Sequence, residues 1–584
     1  MINPIPATPL LVGALVMPLL PRALRPWLFV LAPVLAFALL TQLEPGATLT
    51  WRFLSYDLVL SRVDRLSLAF SYVFTLVALL GAIYGFHLRD LGQQVAALLY
   101  AGAAVGVVFA GDLLTLYVFW EIMAVASAWL IFTAHTAQSG QAGIRYLFFH
   151  LLGGGVLLAG IIWQVHESGS LAFNRLDSAG PGWLILFGFA VNAAIPPLHP
   201  WLADAYPEAP VTGSVFLSAF TTKAAVYALA RGFPGSDLLI VAGTLMALYG
   251  VVFAILENDI RRILSYHIVS QVGYMVAGIG IGTEAALNGA TAHAFAHILY
   301  KGLLFMAAGA VVHATGRRKL TELGDLIGSL PWVLVFYMFG ALSISGFPLL
   351  SGFVSKWLVV HAAELDHHDW VAVLLGVASV GTFLSVGLKL PYFTWFGPRR
   401  AIRTDSIPLG MYSAMALASA INLAIGLRPD LFYRGLFFVA DYRPYTSLHL
   451  METAELFAFT GLAFWFFSRQ MTPKAALTLD VDWFYRKAAP WLRRNVVIAV
   501  NDFFAAMDAL TLAGARQLCR LGANPLSLFD FAGDGHRRFK RGPTDAKIRP
   551  YDPNRYRRPV GVALLIVLGF FVLLLGLGLL LSPR

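Results

Sequence analysis

Apolar runs near 20 residues recur from one end of this chain to the other, separated by short polar or proline-rich stretches. Each run matches a hydrocarbon core of about 30 Å at the 1.5 Å rise of an α-helix. The same length criterion gives roughly sixteen or seventeen candidate spans. Early ones lie near 8–20, 26–44, 65–87, 92–110, 112–133 and 144–167, and middle ones near 182–197, 212–232, 235–255, 262–281 and 288–313. Late ones lie near 326–344, 349–363, 370–394, 410–426, 447–468 and 560–581. The pattern predicts an all-α polytopic membrane protein.

Two segments break the helical pattern. "NAAIPPLHPWLADAYPEAPVTG" (192–213) carries five prolines, and "SISGFPLLSGFVSK" (343–356) is interrupted by Gly and Pro. Broken segments at corresponding places in two halves of a transporter mark a site near the midplane. Each break here precedes a lone lysine, Lys223 in the first half and Lys389 in the second. The chain therefore divides into N-terminal helices and a loop (1–64), a core (65–430), a late helix region (431–468), a non-spanning stretch (469–558) and a last apolar helix (559–584). Within the non-spanning stretch, 491–522 alternates as an amphipathic helix does, and 535–559 is a basic, proline-broken linker.

Composition agrees with a membrane class. Of 584 residues, 58% are hydrophobic and 13% charged, against about 25% charged in soluble proteins. The N-terminal stretch lacks the basic start of a cleavable leader. A single cysteine, Cys519, rules out an intrachain disulfide, and no Cys/His cluster indicates a structural metal. The net charge of +10 gathers in loops and the linker, as in cytoplasmic loops, and does not point to nucleic acid. Loop charge shows no clean parity, so orientation stays open. No phosphate loop, Rossmann glycine pattern or nucleophile elbow is present, so no cofactor is expected.

Against this background the charged residues inside apolar runs stand out, because each costs about 2.5–3.5 kcal/mol at the bilayer centre. They are Glu121, Lys223, His293, His297, Lys301 and Lys389, with His267 and Lys356 as further candidates. Steps of four place 293, 297 and 301 within about 80° of arc over about 12 Å of one helix. Three titratable groups on one stripe suit proton transfer. Blander readings stand beside this one: an ion pair for Glu121, snorkelling for Lys223 and Lys389, packing for His267, an interfacial place for Lys356. His150 and His199 read as packing or helix-end residues, and Glu452 and Glu455 as favourable charges at a helix start. Histidines at this spacing also bind zinc or haem, but lysine in the third place is a poor ligand.

Six stretches together resemble a known superfamily: "FWE" (119–121), "PLHPWLADAYPEAP" (197–210) followed by "TTKAAVY", "DIRRILSYHIVSQVGYM" (259–275), "HAFAHILYKGLLFMAAGAV" (293–311) and "SISGFPLLSGFVSKW" (343–357). Over residues 50–430 the chain resembles the antiporter-like membrane subunits shared by respiratory complex I and Mrp-type cation/proton antiporters. The resemblance implies about fourteen core helices with two inverted five-helix repeats and discontinuous helices. It also implies proton translocation by Glu121 and Lys223 as a charge-switch pair, by His293, His297 and Lys301 as the connection, and by Lys389 as the second-half terminus. "SLHLMETAELFAFTGLAFWFF" (447–467) and "TLDVDWFYRK" (478–487) resemble the D-type subunit of Mrp-type antiporters. The expected protein is a multi-pass subunit of a Na⁺/proton antiporter in the bacterial cytoplasmic membrane, working with other membrane subunits, lipid, protons and monovalent cations. Alternatives are a proton-pumping arm of an NADH:quinone oxidoreductase or membrane-bound hydrogenase, and a proton-conducting partner of an inorganic-carbon uptake protein.

Overall fold

The computed structural model describes residues 5–54, 56–440, 442–475, 479–523 and 560–581. It forms two compact units, residues 1–481 and 482–584. In the first, α1 (Thr8–Val16) and α2 (Arg25–Leu40) precede an antiparallel hairpin of β1 (Thr48–Phe53) and β2 (Tyr56–Arg62). The hydrophobic pattern reads this hairpin as loop. It is fastened from outside, where the Val59 N–H donates to Asp112 Oδ2 at 2.8 Å.

Four long helices follow: α3 (Arg65–Tyr84), α4 (Leu91–Phe109), α5 (Leu113–Phe132) and α6 (Ala137–Ser168). Each begins where a polar side chain, Asp64, Asp90, Asp112 or Thr136, accepts from a first-turn backbone N–H. Such caps satisfy donors that would otherwise be orphaned at the membrane boundary. The first predicted break comes next. It resolves into α7 (Pro181–Ala193), α8 (Pro200–Ala205), a 3-10 turn at Tyr206–Glu208, α9 (Val211–Leu217) and α10 (Thr221–Gly232).

The centre is built from α11 (Asp237–Leu256), α12 (Ile260–Ile281) and α13 (Glu284–Thr315). The second half continues with α14 (Pro331–Ser345), α15 (Ser351–Leu365) and α16 (Asp369–Thr382). A π-helical turn, Phe383–Lys389, joins α16 to α17 (Leu390–Trp395), and α18 (Leu409–Leu427), α19 (Pro429–Arg434) and α20 (Ser447–Phe467) complete the unit. The second predicted break lies between α14 and α15, where Gly346 takes a φ of 83° that favours glycine.

Among the described residues, eleven helices are long and apolar enough to cross a membrane, and five further apolar helices are shorter. That is fewer full-length spans than the pattern or the resemblance implied. Proline and glycine shorten several of them; α7 keeps thirteen residues and α14 fifteen. The 22-residue α12 falls outside the eleven because it carries Arg261, His267, Ser270 and Gln271. These polar residues are buried, so α12 carries its polarity inside the bundle.

One of them locks the first break. Arg261 donates to the Pro207 and Ala209 carbonyls at 2.7 and 2.8 Å and also reaches Ser214 Oγ. Carbonyls freed by the broken helix thus find a cation from α12, as buried backbone acceptors require.

In the second unit, helix runs through Asp482–Leu492, a π turn at Arg493–Ile498 and Ala499–Ala523. This is longer than the amphipathic helix expected at 491–522. By length and composition, Asp482–Cys519 also meets the membrane-span criterion, because its arginines cluster toward its ends. Val560–Leu581 matches the last predicted span. The basic linker expected at 535–559 lies outside the described residues.

Glycines set how closely α11 and α12 approach. A Cβ at Gly273 would stand 2.5 Å from the Ala247 nitrogen, and one at Gly250 would be 2.6 Å from the Tyr266 carbonyl. Small residues at such crossings let membrane helices pack backbone to backbone. Gly273→Val is therefore expected to destabilise the fold by about 1–3 kcal/mol, read as a lower thermal-unfolding midpoint of the purified protein.

Candidate functional site

Helix α13 turns its His293, His297 and Lys301 stripe into the bundle, and all three side chains are wholly buried. The His293 and His297 rings lie 6.2 Å apart, with Tyr300 5.3 Å from His297. His293 Nε2 lies 3.2 Å from Gln271 Oε1, and Nδ1 lies 3.4 Å from Ser355 Oγ. Among the described residues, neither ring nitrogen of His297 has a hydrogen-bond partner, nor does Lys301 Nζ. Groups of this kind call for a mobile partner such as water.

The two outlying lysines share a device. Lys223 follows the interruption between α9 and α10, and its Nζ donates to the Ser218 carbonyl at 2.6 Å. Lys389 ends the π turn, and its Nζ donates to the Ile255 and Glu257 carbonyls at 2.5 and 2.9 Å, just where α11 stops. Helix ends expose carbonyls and the negative pole of the backbone dipole, so both ammonium groups are held by backbone oxygens, with no carboxylate within 4.0 Å among the described residues. With exposures of 0% and 3%, neither lysine snorkels to the interface. Lys356 is interior as well, not interfacial. It donates to Ser379 Oγ at 2.8 Å and lies 5.0 Å from the centre of the Tyr274 ring, which is itself 5.6 Å from His293. His267 joins the second half through Nε2, 2.6 Å from Ser385 Oγ.

Glu121 stands apart. It is half-buried on α5 beside the exposed Val118 and Val125, and a Cβ at Gly154 of α6 would collide with its carboxylate. No ion pair joins it to Lys223 among the described residues, so the expected charge-switch pair is not a direct contact. Sequence reasoning passes over what lies between. On α6, Tyr146, His150 and Gly154 repeat the four-residue step seen on α13. His150 Nδ1 lies 2.8 Å from Asn192 Oδ1, and its ring packs 4.1 Å from Tyr146. Tyr146 in turn donates to Ser127 Oγ at 2.8 Å and lies 3.3 Å from Oγ1 of Thr221, two residues before Lys223. The repeat of spacing is the available signal.

His199 is more than the helix-end residue the sequence suggests. Its Nε2 lies 3.1 Å from Asp480 Oδ2, which also accepts from the Tyr266 hydroxyl at 2.7 Å, while Asp480 Oδ1 accepts from the Tyr249 hydroxyl. Asp480 comes from the stretch after α20 and is 7% exposed. Burial pushes its carboxyl up, but the bonds from His199, Tyr249 and Tyr266 outweigh this and hold it well below its ordinary 3.8.

Three comparisons set this arrangement among known proteins. Residues 110–384 match the family model described as NADH:quinone oxidoreductase/Mrp antiporter, transmembrane. An uncharacterized protein of Methanocaldococcus jannaschii is 31% identical over 350 residues, covering 56% of this chain and 72% of that protein. The D-type subunit of the Na⁺/H⁺ antiporter of Alkalihalophilus pseudofirmus is 31% identical over 316 residues, 50% of this chain and 64% of that protein. The archaeal membrane-bound sulfane sulfur reductase contains a chain that superposes with a TM-score of 0.68 at 23% identity, covering 87% of this chain and 95% of that one. The fold is therefore that of an antiporter-like, multi-pass membrane subunit. The chain belongs to the NADH:quinone oxidoreductase/Mrp antiporter transmembrane family.

A depressed carboxyl stabilises the fold above its ordinary value and loses that contribution only as pH falls through the lower folded value. Asp480 therefore acts across the neutral range. Asp480→Ala removes the acceptor of the buried His199 and Tyr266 donors and is expected to cost about 3–5 kcal/mol, seen as a lower unfolding midpoint at pH 7 by intrinsic fluorescence.

Proposed function

We propose that this chain carries protons through the membrane as one subunit of a multisubunit monovalent-cation/proton antiporter, with Na⁺ the favoured cation. The observation that carries this reading is the buried row His293, His297 and Lys301, two members of which lack any protein partner. Lys223 and Lys389, each seated on helix-end carbonyls, flank the row in sequence. Each of these groups holds or passes one proton, and the Ser, Thr and Tyr hydroxyls and Gln271 between them shorten the hops.

Glu121 enters from the flank. It connects toward Lys223 along α6, through the polar neighbourhood of His150 and Tyr146, and so acts on the row at a distance. Such a protein belongs in a bacterial cytoplasmic membrane beside further membrane subunits, driven by the proton gradient and needing no bound cofactor.

The likeness to the Alkalihalophilus antiporter protein supports this choice of complex. The broader superposition on the sulfane sulfur reductase chain supports a second reading, in which the same residues move protons under electron transfer in partner subunits. Inverted vesicles carrying the whole gene cluster separate the two. ΔpH collapse on adding Na⁺ supports the antiporter, and proton uptake that requires an electron donor supports the redox arm.

In the same vesicles Lys223→Ala and Lys301→Met are expected to lower proton movement at least tenfold, on the scale of about one lost proton-transfer group. Glu121→Gln is expected to lower it less, because that residue is not in contact with the row. Transport by Lys301→Met at the unmutated rate would remove the row from the mechanism.

A further inference from the structure

One cavity is lined by none of the residues in the row of proton carriers. It has a volume of about 750 Å³ and is lined by the Arg65, Arg434 and Arg443 side chains, with Tyr433, Tyr442 and Tyr445 in its wall. Arg65 opens α3, Arg434 closes α19 just beyond the end of α18, and Arg443 lies shortly before α20 begins. Three membrane-length helices thus start or stop around it. Helices of that length begin and end where hydrocarbon gives way to headgroups, which argues for a cavity at that level.

Among the described residues its charges are unbalanced. All three arginines are exposed, and none has a carboxylate within 4.0 Å among the described residues. The one acidic side chain in the lining among the described residues, Asp430, has Arg428 at 3.5 Å. The tyrosines serve as wall. Tyr433 donates to the Val354 carbonyl at 2.6 Å, and Tyr445 to the Gly426 carbonyl at 2.5 Å. In the lining Val439 is 85% exposed, and Leu431 and Leu448, one and three residues from lining residues in sequence, are 54% and 61% exposed. A cationic pocket edged by bare aliphatic side chains at a helix boundary has the two-part character of a phospholipid.

We propose that this cavity binds the phosphodiester headgroup of an anionic phospholipid, with the three guanidiniums on the phosphate and the acyl chains along Leu431, Val439 and Leu448. Guanidinium forks match phosphate oxygens in pairs, and basic pockets between membrane helices are suited to such headgroups. Three cations with one engaged carboxylate favour a lipid carrying net negative charge over a zwitterionic one. The bound lipid would tie α18–α20 to the start of α3.

The test uses the full-length chain, purified with the subunits that accompany it and reconstituted in phosphatidylcholine. Adding phosphatidylglycerol or cardiolipin is expected to raise the unfolding midpoint, and mass spectrometry is expected to find that lipid retained. The Arg65→Gln, Arg434→Gln, Arg443→Gln triple variant is expected to match the unmutated midpoint in phosphatidylcholine and to lose the rise. Each single change is expected to weaken retention about fivefold, whereas Arg52→Gln in the hairpin leaves it unchanged. If the triple variant fails to fold, the three single variants give the same reading.

A lipid-dependent rise that survives in these variants would overturn the proposal. So would an equal rise from inorganic phosphate or glycerol phosphate in phosphatidylcholine alone, which would make the occupant a soluble phosphate. Loss of an accompanying protein from the variants with lipid still retained would overturn it in favour of a protein interface.

Discussion

An ammonium group sealed in an apolar bundle needs an acceptor, and this fold supplies it by interrupting helices. A continuous helix consumes its own carbonyls and offers none to a side chain. The gap between α9 and α10 releases the Ser218 carbonyl to Lys223, and the end of α11 releases two carbonyls to Lys389. The irregular backbone is therefore the condition for keeping lysines where the bilayer would otherwise exclude them. Irregularity at membrane depth is tolerated because it is buried in protein and matched with polar groups. Arg261 does the matching for the first break, and Ser343, Ser351 and Asn422 bond one another beside the second.

The same constraint orders the polarity of the bundle. Helix α12, enclosed on nearly every side, carries an arginine, a histidine and a glutamine. A span criterion therefore passes over a buried helix whose Gln271 meets His293 and whose His267 meets Ser385. The lysines at 223, 301 and 356 differ in their surroundings in a graded way. The first has a backbone acceptor, the second has none, and the third has a hydroxyl and an aromatic face.

Much of this is legible in the chain. Apolar runs locate the helices, five prolines locate the first break, and a four-residue step locates the α13 stripe. What escapes has weak local signatures. The β-hairpin is two short strands fastened by a distant aspartate, and no periodicity announces it. Glu121 is legible as a buried carboxylate but not as a flanking one, because a helix pattern does not say which neighbour fills the space opposite. His150 reads as a packing residue since its partners, Asn192 and Tyr146, cannot be paired with it from spacing alone. Lys356 reads as interfacial from its nearness to a break, but the break itself is drawn inside the bundle.

The least local of these contacts reaches from Asp480 to His199, across 281 positions of sequence. Through it the last stretch of the first unit contributes a side chain to the interior beside the first broken helix. A gene product ending after the α20 span would keep every charged residue of the central row and still be incomplete. Its His199, Tyr249 and Tyr266 would face an empty place where an anion belongs. The tail is in that sense part of the core, and the point at which this chain could be shortened lies beyond Asp480.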